Sequence, residues 1–478
     1  MASSATAIAI SGSDQANVAK GPPVPAKAAS NPREFILKGP VFRTLMRLSL
    51  PTLIVIMVQT LVGVVETWFV SLLGTDALAG AAVVFPVLML MQMMANGGFG
   101  GGVASAVSRA VGAGRTEDAQ ALVFHAIVLG AVLGLIFTAL ALAGGPFLYR
   151  ALGAEGGSLA AALSYSNAIF IGSIPIWVGA LLAAAMRGAG QVRAPALINL
   201  VSGLVLVPLS PILIFGFGPF PAFGIAGGGA AVAIYSFASA LALTAFLYSG
   251  RVGLRLTVAP LRVALFKDIL GVGALSALGT IQTNLTVALV TGAVGIYGTH
   301  AIAGYGIASR LDYLLIPFLF GLGTGVITMV GTAVGAGDKL RARRVAWVGV
   351  ATGGITTGVI GAAAAIFPQA WLGLFSNDPV VLTTGAQYLR IVAPFYVFFG
   401  IGMMLYFASQ GADRVAIPFF GGTARLVMAG FIGWAVAALL GAGLTNLFAI
   451  VAASYLIYAL ICVATMRAAW GDPRRAVR

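Results

Sequence analysis

Twelve stretches of about 20 predominantly apolar residues run through this chain, each long enough to cross a lipid bilayer as a helix. They cover residues 48–71, 80–105, 121–143, 163–186, 195–215, 225–248, 269–296, 303–330, 345–367, 388–409, 417–440 and 444–466. No soluble fold accommodates that pattern. Only 8% of the 478 residues are charged and 60% are hydrophobic, against about 25% charged in ordinary soluble domains. A mean hydropathy of +1.02 leaves too little polar surface to coat a globule. The 64 glycines follow no three-residue period, and the single cysteine, Cys462, allows no internal disulfide. Spanning segments must satisfy their own backbone, as helices or closed barrels. The apolar runs do not alternate with polar residues as barrel strands do, so the fold class is all-α and the protein is a polytopic membrane protein.

The net charge of +14 is explained by topology. Of the 27 Lys and Arg, 23 fall in the two tails or in loops after even-numbered spans. Arg109, Arg115, Arg193, Arg251, Arg255, Arg262, Lys267 and the run Lys339, Arg341, Arg343, Arg344 are examples. Arg150 alone sits in an opposite loop, and Arg310, Arg390 and Arg425 lie within spans. Cytoplasmic loops carry the basic excess, which places both termini in the cytoplasm and needs no nucleic-acid partner. The expected organisation is a disordered tail over 1–40, a first lobe over 41–255, a second over 256–470 and a short tail over 471–478. No signal peptide is expected, because the run 5–10 is too short for one.

The chain also repeats itself. LLGTDALAG at 72–80 matches IYGTHAIAG at 296–304, AVGAG recurs at 110–114 and 333–337, and RGAGQVRAP at 187–195 resembles QGADRVAIP at 410–418. The offset is 224 for the first match and 223 for the others. Six spans separate the copies, so both halves enter the membrane from the same side. Parallel repeats of this kind are a transporter architecture, in which one bundle rocks against the other. Matching halves predict that Gly74 superposes on Gly298 and Pro195 on Pro418.

Thirteen acids are present, and two of them, Glu66 and Asp312, lie inside spans. A charge near the bilayer centre costs about 2.5 kcal/mol or more unless it faces a cavity or a partner, so both are candidates for coupling to a cation or proton. Gln59 and Gly63 share a helical face with Glu66, and Thr67 follows it. Asp312 comes two residues after Arg310, and residues at that spacing point to different faces. It is either a coupling acid or the partner of Arg310 in a structural ion pair. Gln282, Thr283 and Asn284, with Thr67, Gln59 and Arg310, are candidates for a substrate cleft or for hydrogen bonding between helices. The in-span prolines Pro51, Pro86, Pro175, Pro208, Pro211, Pro317 and Pro394 mark kinks or bends, and Pro211 and Pro317 are candidates for gating or for static kinks. His125 and His300 fall in opposite halves without metal-ligand spacing, and no Walker or nucleophile motif appears. Neither a metal nor a cofactor is expected, and no enzyme activity.

These residues resemble the multidrug and toxic compound extrusion (MATE) family, and within it the DNA-damage-inducible F subgroup. The likeness rests on LSLPTLIVIMVQTLVGVVETWFVSLLG at 48–74, the LAG opening span two, the duplicated AVGAG, and RGAG with a proline five residues on. It covers roughly 42–467. It implies twelve helices in two lobes forming a V, and antiport of amphipathic, mostly cationic organic compounds against protons or sodium ions. The expected protein is a monomer in the cell inner membrane, whose partners are small organic cations and the lipid bilayer. Glu66 falls where the family has a first-helix acid, usually Asp. At two further family positions, an Asn and an Asp in the fifth helix, this chain has Leu206 and Ser210. A lone carboxyl suits a proton better than a sodium ion, which wants several oxygens. The rival readings are a lipid-linked oligosaccharide flippase of the same superfamily, which would need a basic cavity, and a membrane-embedded enzyme, which would need paired catalytic groups at one depth.

Overall fold

The computed structural model describes residues 32–250 and 254–470, with side chains through 464. After a short N-terminal helix, Pro32–Lys38, come twelve spanning helices. The first six are α1 (Val41–Ser71), α2 (Thr75–Gly112), α3 (Thr116–Ala151), α4 (Gly156–Ile171 with Ser173–Gly188), α5 (Arg193–Phe215) and α6 (Ile225–Tyr248). The second six are α7 (Val263–Gly295), α8 (Thr299–Gly335), α9 (Lys339–Ile366), α10 (Pro379–Gly411), α11 (Ala416–Leu439) and α12 (Leu444–Trp470). All twelve expected spans are present. One expectation is corrected. Within the stretch 1–40, residues from Pro32 onward form a helix whose Ile36 is buried, because that side chain finds an apolar site on the bundle. Residues 1–31 and 471–478, the rest of the expected tails, lie outside the described residues.

The repeat is visible in the backbone. Gly74 and Gly298 each precede a helix with φ of 105° and 99°, a conformation only glycine adopts readily. Gly114 and Gly337 turn the chain with φ of 74° and 77°. Pro195 and Pro418 are both the third residue of their helices. At the next matching turn the first half has Gly190 (φ 79°) and the second has Asp413 (φ 58°). Asp413 is the one non-glycine residue with positive φ among those described.

The change of offset from 224 to 223 has a structural counterpart. Between its matched ends α2 carries one residue more than α8. The extra residue is absorbed by a π turn at Met94–Phe99, the usual way a helix takes up an insertion without losing register on either side. The corresponding place in α8 holds Pro317. A second π turn, Leu426–Ile432 in α11, corresponds to the stretch of α5 holding Pro208. In each helix pair one copy has a wide turn and the other a proline, and both devices remove an ordinary α-helical hydrogen bond.

Of the in-span prolines, Pro175 and Pro394 lie at the sharp breaks, whereas the gating candidates Pro211 and Pro317 do not. The α helices run without a break through Pro211 and Pro317. α4 instead bends by 49° at Gly172, three residues before Pro175. A Cβ at Gly172 would come within 2.6 Å of the Ala233 Cβ on α6. α10 loosens into a 3₁₀ turn at Ala393–Phe395, and Phe395 is the repeat counterpart of Gly172.

The halves meet along the side bearing the basic loops. There α2 and α8 approach backbone to backbone: a Cβ at Gly112 would stand 2.1 Å from the Thr332 carbonyl oxygen, and one at Gly335 the same distance from that of Arg109. A Cβ at Gly102 would stand 2.4 Å from the Ile269 carbonyl oxygen of α7. Polar bonds cross the seam. Gln410 Nε2 donates to Gly97 O at 3.1 Å, Thr328 Oγ1 to Arg187 O at 3.0 Å, and Ser49 Oγ to Leu322 O at 3.2 Å. Ser105 Oγ donates to Gln410 O. Arg109 pairs with Asp268 at 2.5 Å and Arg262 with Asp118 at 2.8 Å. α8 is the most enclosed span, with 72% of its apolar window buried against 28% for α1 and α2. Toward the opposite side the outer half of α2 packs on its own lobe, where Gly80 touches the α4 backbone at Ala162. The lobes thus form a notch open away from the basic loops.

The seam makes a stability prediction. Gly102→Ala is expected to lower the thermal midpoint of the purified protein by several degrees, because backbone oxygen cannot yield to the new methyl and clashes of this kind cost about 1–3 kcal/mol. Gly63→Ala, where a Cβ meets nothing within 4 Å, is expected to be neutral or stabilising by up to about 1 kcal/mol through helix propensity.

Candidate functional site

Each lobe holds one acid inside its bundle, and each acid accepts a hydrogen bond from a tyrosine of its own lobe. In the N-lobe, Tyr165 of α4 donates to Glu66 Oε1 of α1 at 3.3 Å, and Tyr235 of α6 stands close to the same carboxyl. In the C-lobe, Tyr388 of α10 donates to Asp312 Oδ2 of α8 at 2.5 Å, with Tyr396 beside it. Tyr165 and Tyr388 are 223 residues apart, so they are repeat counterparts. The acids are not: α1 corresponds to α7, and α8 to α2. The two halves use one conserved donor position to hold carboxyls brought in on different helices.

The surroundings differ in charge. Glu66 has no ion-pair partner among the described residues. Beside it the α1 residues Thr67 and Trp68 are exposed. Asp312 shares a cavity of about 30 Å³ with Arg425 of α11, Thr283 and Thr286 of α7 and Tyr455 of α12. That is room for about two waters. Arg425 lies over the rings of Phe399 and Tyr455, 5.2 and 4.9 Å from their centroids. This aromatic shelf is a cation–π arrangement. Asp312 Oδ1 and Arg425 Nε, both shut off from solvent, have no hydrogen-bond partner.

The remaining expected residues are placed as follows. Arg310 does not pair with Asp312. It is exposed and lies 5.3 Å from the Phe375 ring centroid, since residues two apart on a helix diverge. The cation near Asp312 is Arg425, brought from a different helix, and the chain alone gave it no signal beyond its being an in-span arginine. Thr283 joins the Asp312 cavity. Gln282 turns into its own lobe, donating to Thr423 Oγ1 at 2.7 Å. Asn284 is exposed and meets Met93 Sδ of the other lobe at 3.9 Å. Gln59 and Thr67 are exposed, and Thr67 Oγ1 donates back to Gly63 O at 2.9 Å. Tyr165, Tyr388 and Tyr396 were missed by the sequence reading. The 223 spacing was the signal for the first two.

Removing the hydroxyl tests the two acids separately. Tyr388→Phe is expected to destabilise the protein by about 1–3 kcal/mol, the cost of leaving a buried acceptor unmet. Tyr165→Phe, which breaks a longer bond, is expected to cost less. Thermal unfolding of both variants measures the difference. Arg425→Ala is likewise expected to lower the thermal midpoint more than Arg310→Ala.

Comparison with known proteins agrees with this architecture. The family model MatE matches residues 51–212 and 276–435, one block in each lobe. Among curated relatives, a FAD transporter of Shewanella oneidensis is 28% identical over 400 residues, covering 83% of this chain and 88% of that protein. The probable multidrug resistance protein NorM of Thermotoga maritima is 26% identical over 380 residues, 79% and 81% of the two chains. The multidrug export protein MepA of Staphylococcus aureus is 26% identical over 373 residues, 77% and 81%. Among solved structures, a MOP superfamily transporter from Pyrococcus furiosus, described as having a binding pocket of reverse polarity, superposes with a TM-score of 0.84 at 24% identity, over 93% of this chain and 98% of that one. A MATE transporter in the bent conformation gives 0.85 at 23% identity, over 93% and 98%. With a family model matched in both lobes and the two-lobe fold reproduced, the chain belongs to the MATE family of efflux transporters.

Proposed function

We propose that this protein exports amphipathic organic compounds, mostly cationic, across the cell inner membrane in exchange for protons, with its basic side and both termini in the cytoplasm. The observation that carries the reading is Glu66, an intramembrane carboxyl with a tyrosine donor and no cation partner. With the basic side open, the ionised Glu66 favours binding of a cation in the cleft. With the basic side closed, a proton entering from the notch neutralises Glu66 and the compound leaves. The neutral carboxyl then favours the return. Coupling requires only that proton and substrate bind the two conformations differently. One charge crossing 100 mV supplies about 2.3 kcal/mol, roughly a 50-fold concentration ratio. A proton suits this lone carboxyl and hydroxyl better than a sodium ion.

A second reading concerns the substrate. Arg425 places a cation between aromatic rings in the C-lobe, an environment that also favours an anionic aromatic compound. A relative named as a FAD transporter makes a flavin nucleotide the probe of choice for it.

Proteoliposome transport under separately imposed proton and sodium gradients tests both. A fluorescent organic cation is expected to be driven by the proton gradient. Glu66→Gln is expected to abolish that transport in a folded protein, Glu66→Asp to keep it, and Asp312→Asn to retain part of it. Full activity in Glu66→Gln with none in a well-folded Asp312→Asn moves the coupling site to the C-lobe. Drive by sodium alone refutes proton coupling. Flavin nucleotide transport without cation transport, lost in Arg425→Gln, selects the second reading.

A further inference from the structure

The basic side is held by more than the seam. The helix Pro32–Lys38 lies against both lobes. Toward the N-lobe, Arg33 donates through Nε and Nη2 to Gly112 O, at the end of α2, at 3.1 and 2.9 Å. Ile36, 1% exposed, packs at the turn between α4 and α5, where a Cβ at Gly190 would lie 2.8 Å from Ile36 Cδ1. Arg47 of α1 lies over the Phe35 ring, 4.6 Å from its centroid. Toward the C-lobe there is Arg341, in the first turn of α9. Its Nε donates to Ile36 O at 2.8 Å, and its Nη2 donates to Gly39 O at 2.7 Å and to Ile36 O.

We propose that this helix is a clasp on alternating access, fastened to the C-lobe by Arg341, and that Arg341 is the positioning residue that sets how readily the basic side opens. The inference rests on the alternating-access reading above. Opening that side moves Gly112 and Arg341 apart, because they belong to opposite lobes. A seven-residue helix is about 10 Å long and does not stretch, so one set of contacts must let go. The N-lobe set includes a buried isoleucine, and the chain continues from this helix directly into α1. The C-lobe set is packing of the helix along α8 and one polar fastening, the Arg341 side chain capping carbonyls at and just beyond the helix end. Those carbonyls have no partner within the helix, and the planar guanidinium fork reaches both at once. The fork is polar and can exchange its bonds with water, which makes it the plane of release. The helix then travels with the N-lobe.

The test reads distance rather than transport. Spin labels are placed on the full-length protein in lipid nanodiscs at Arg115→Cys and Arg414→Cys, exposed positions on the basic side of the two lobes, with Cys462→Ala removing the native thiol. Pulsed dipolar measurement is expected to give chiefly one short distance when Arg341 is present. Arg341→Gln is expected to raise the long-distance population at least tenfold. Arg341→Lys, which keeps the charge but not the fork, is expected to fall between. Ile36→Glu, which detaches the helix on the other face, is expected to match Arg341→Gln. Unchanged distributions in the Gln and Lys variants, at an unchanged thermal midpoint, overturn the clasp. If no pH or substrate condition produces the long distance in any variant, the alternating-access reading fails instead.

Discussion

The near contact of the α2 and α8 backbones on the basic side is the constraint from which the rest follows. Glycines at 112 and 335 let each helix reach the other's carbonyls, and serine and threonine hydroxyls cross the seam to main-chain oxygens. In a bilayer the hydrophobic effect does little to hold helices together, and close packing of small residues takes its place. Contact this tight at one end leaves room at the other. The open notch is the geometric complement of the closed seam, and both acids lie in spans that run from the seam into its walls.

Duplication built the frame, and the departures from it carry the chemistry. Both lobes present a tyrosine at the same position and break the same helix pair nearby, at Gly172 and at Ala393–Phe395. Each lobe then filled the position facing its tyrosine from a different helix. The N-lobe acid has no ion-pair partner among the described residues. The C-lobe acid shares a closed cavity with the cation of Arg425. One pseudo-symmetric scaffold thus carries two chemically unlike sites without any change of fold.

Legibility in the sequence followed the length of the signal. The twelve spans, the parallel repeat and the in-span acids each depend on a pattern written in consecutive residues or at a constant offset, and these were readable. What meets what across helices was not. The chain offered Arg310 as one possible partner of Asp312, beside the coupling reading, whereas the fold turns Arg310 outward to Phe375 and delivers Arg425 from three helices later. Gln282 and Asn284 are two residues apart and serve different surroundings, one inside its lobe and one toward Met93 of the other. Prolines marked the places of bending at Pro175 and Pro394, where α4 and α10 break, but nothing in the sequence separated these from Pro211 and Pro317, through which the helices run on. The N-terminal helix was hidden by a tail rich in Ala, Ser, Pro and Gly, where one isoleucine carries the anchoring contact.

The basic residues show how one signal holds two meanings. Their count on alternate loops is enough to assign topology, and that argument treats them as interchangeable. The structure does not. Arg109 and Arg262 pair with Asp268 and Asp118 across the seam, and Arg341 reaches carbonyls beside α1. Arginine rather than lysine fills all three positions, consistent with a need for forked, directional donors. A cation near the cytoplasmic face costs little, so evolution could place charge there for orientation and then direct a few of the same side chains across the joint between the lobes. The side of the membrane that the charge distribution marks is therefore also the side on which the lobes are tied. A transporter of this design must break several charge-assisted bonds to open toward its basic loops. The resistance on that side is in part electrostatic and so salt-sensitive.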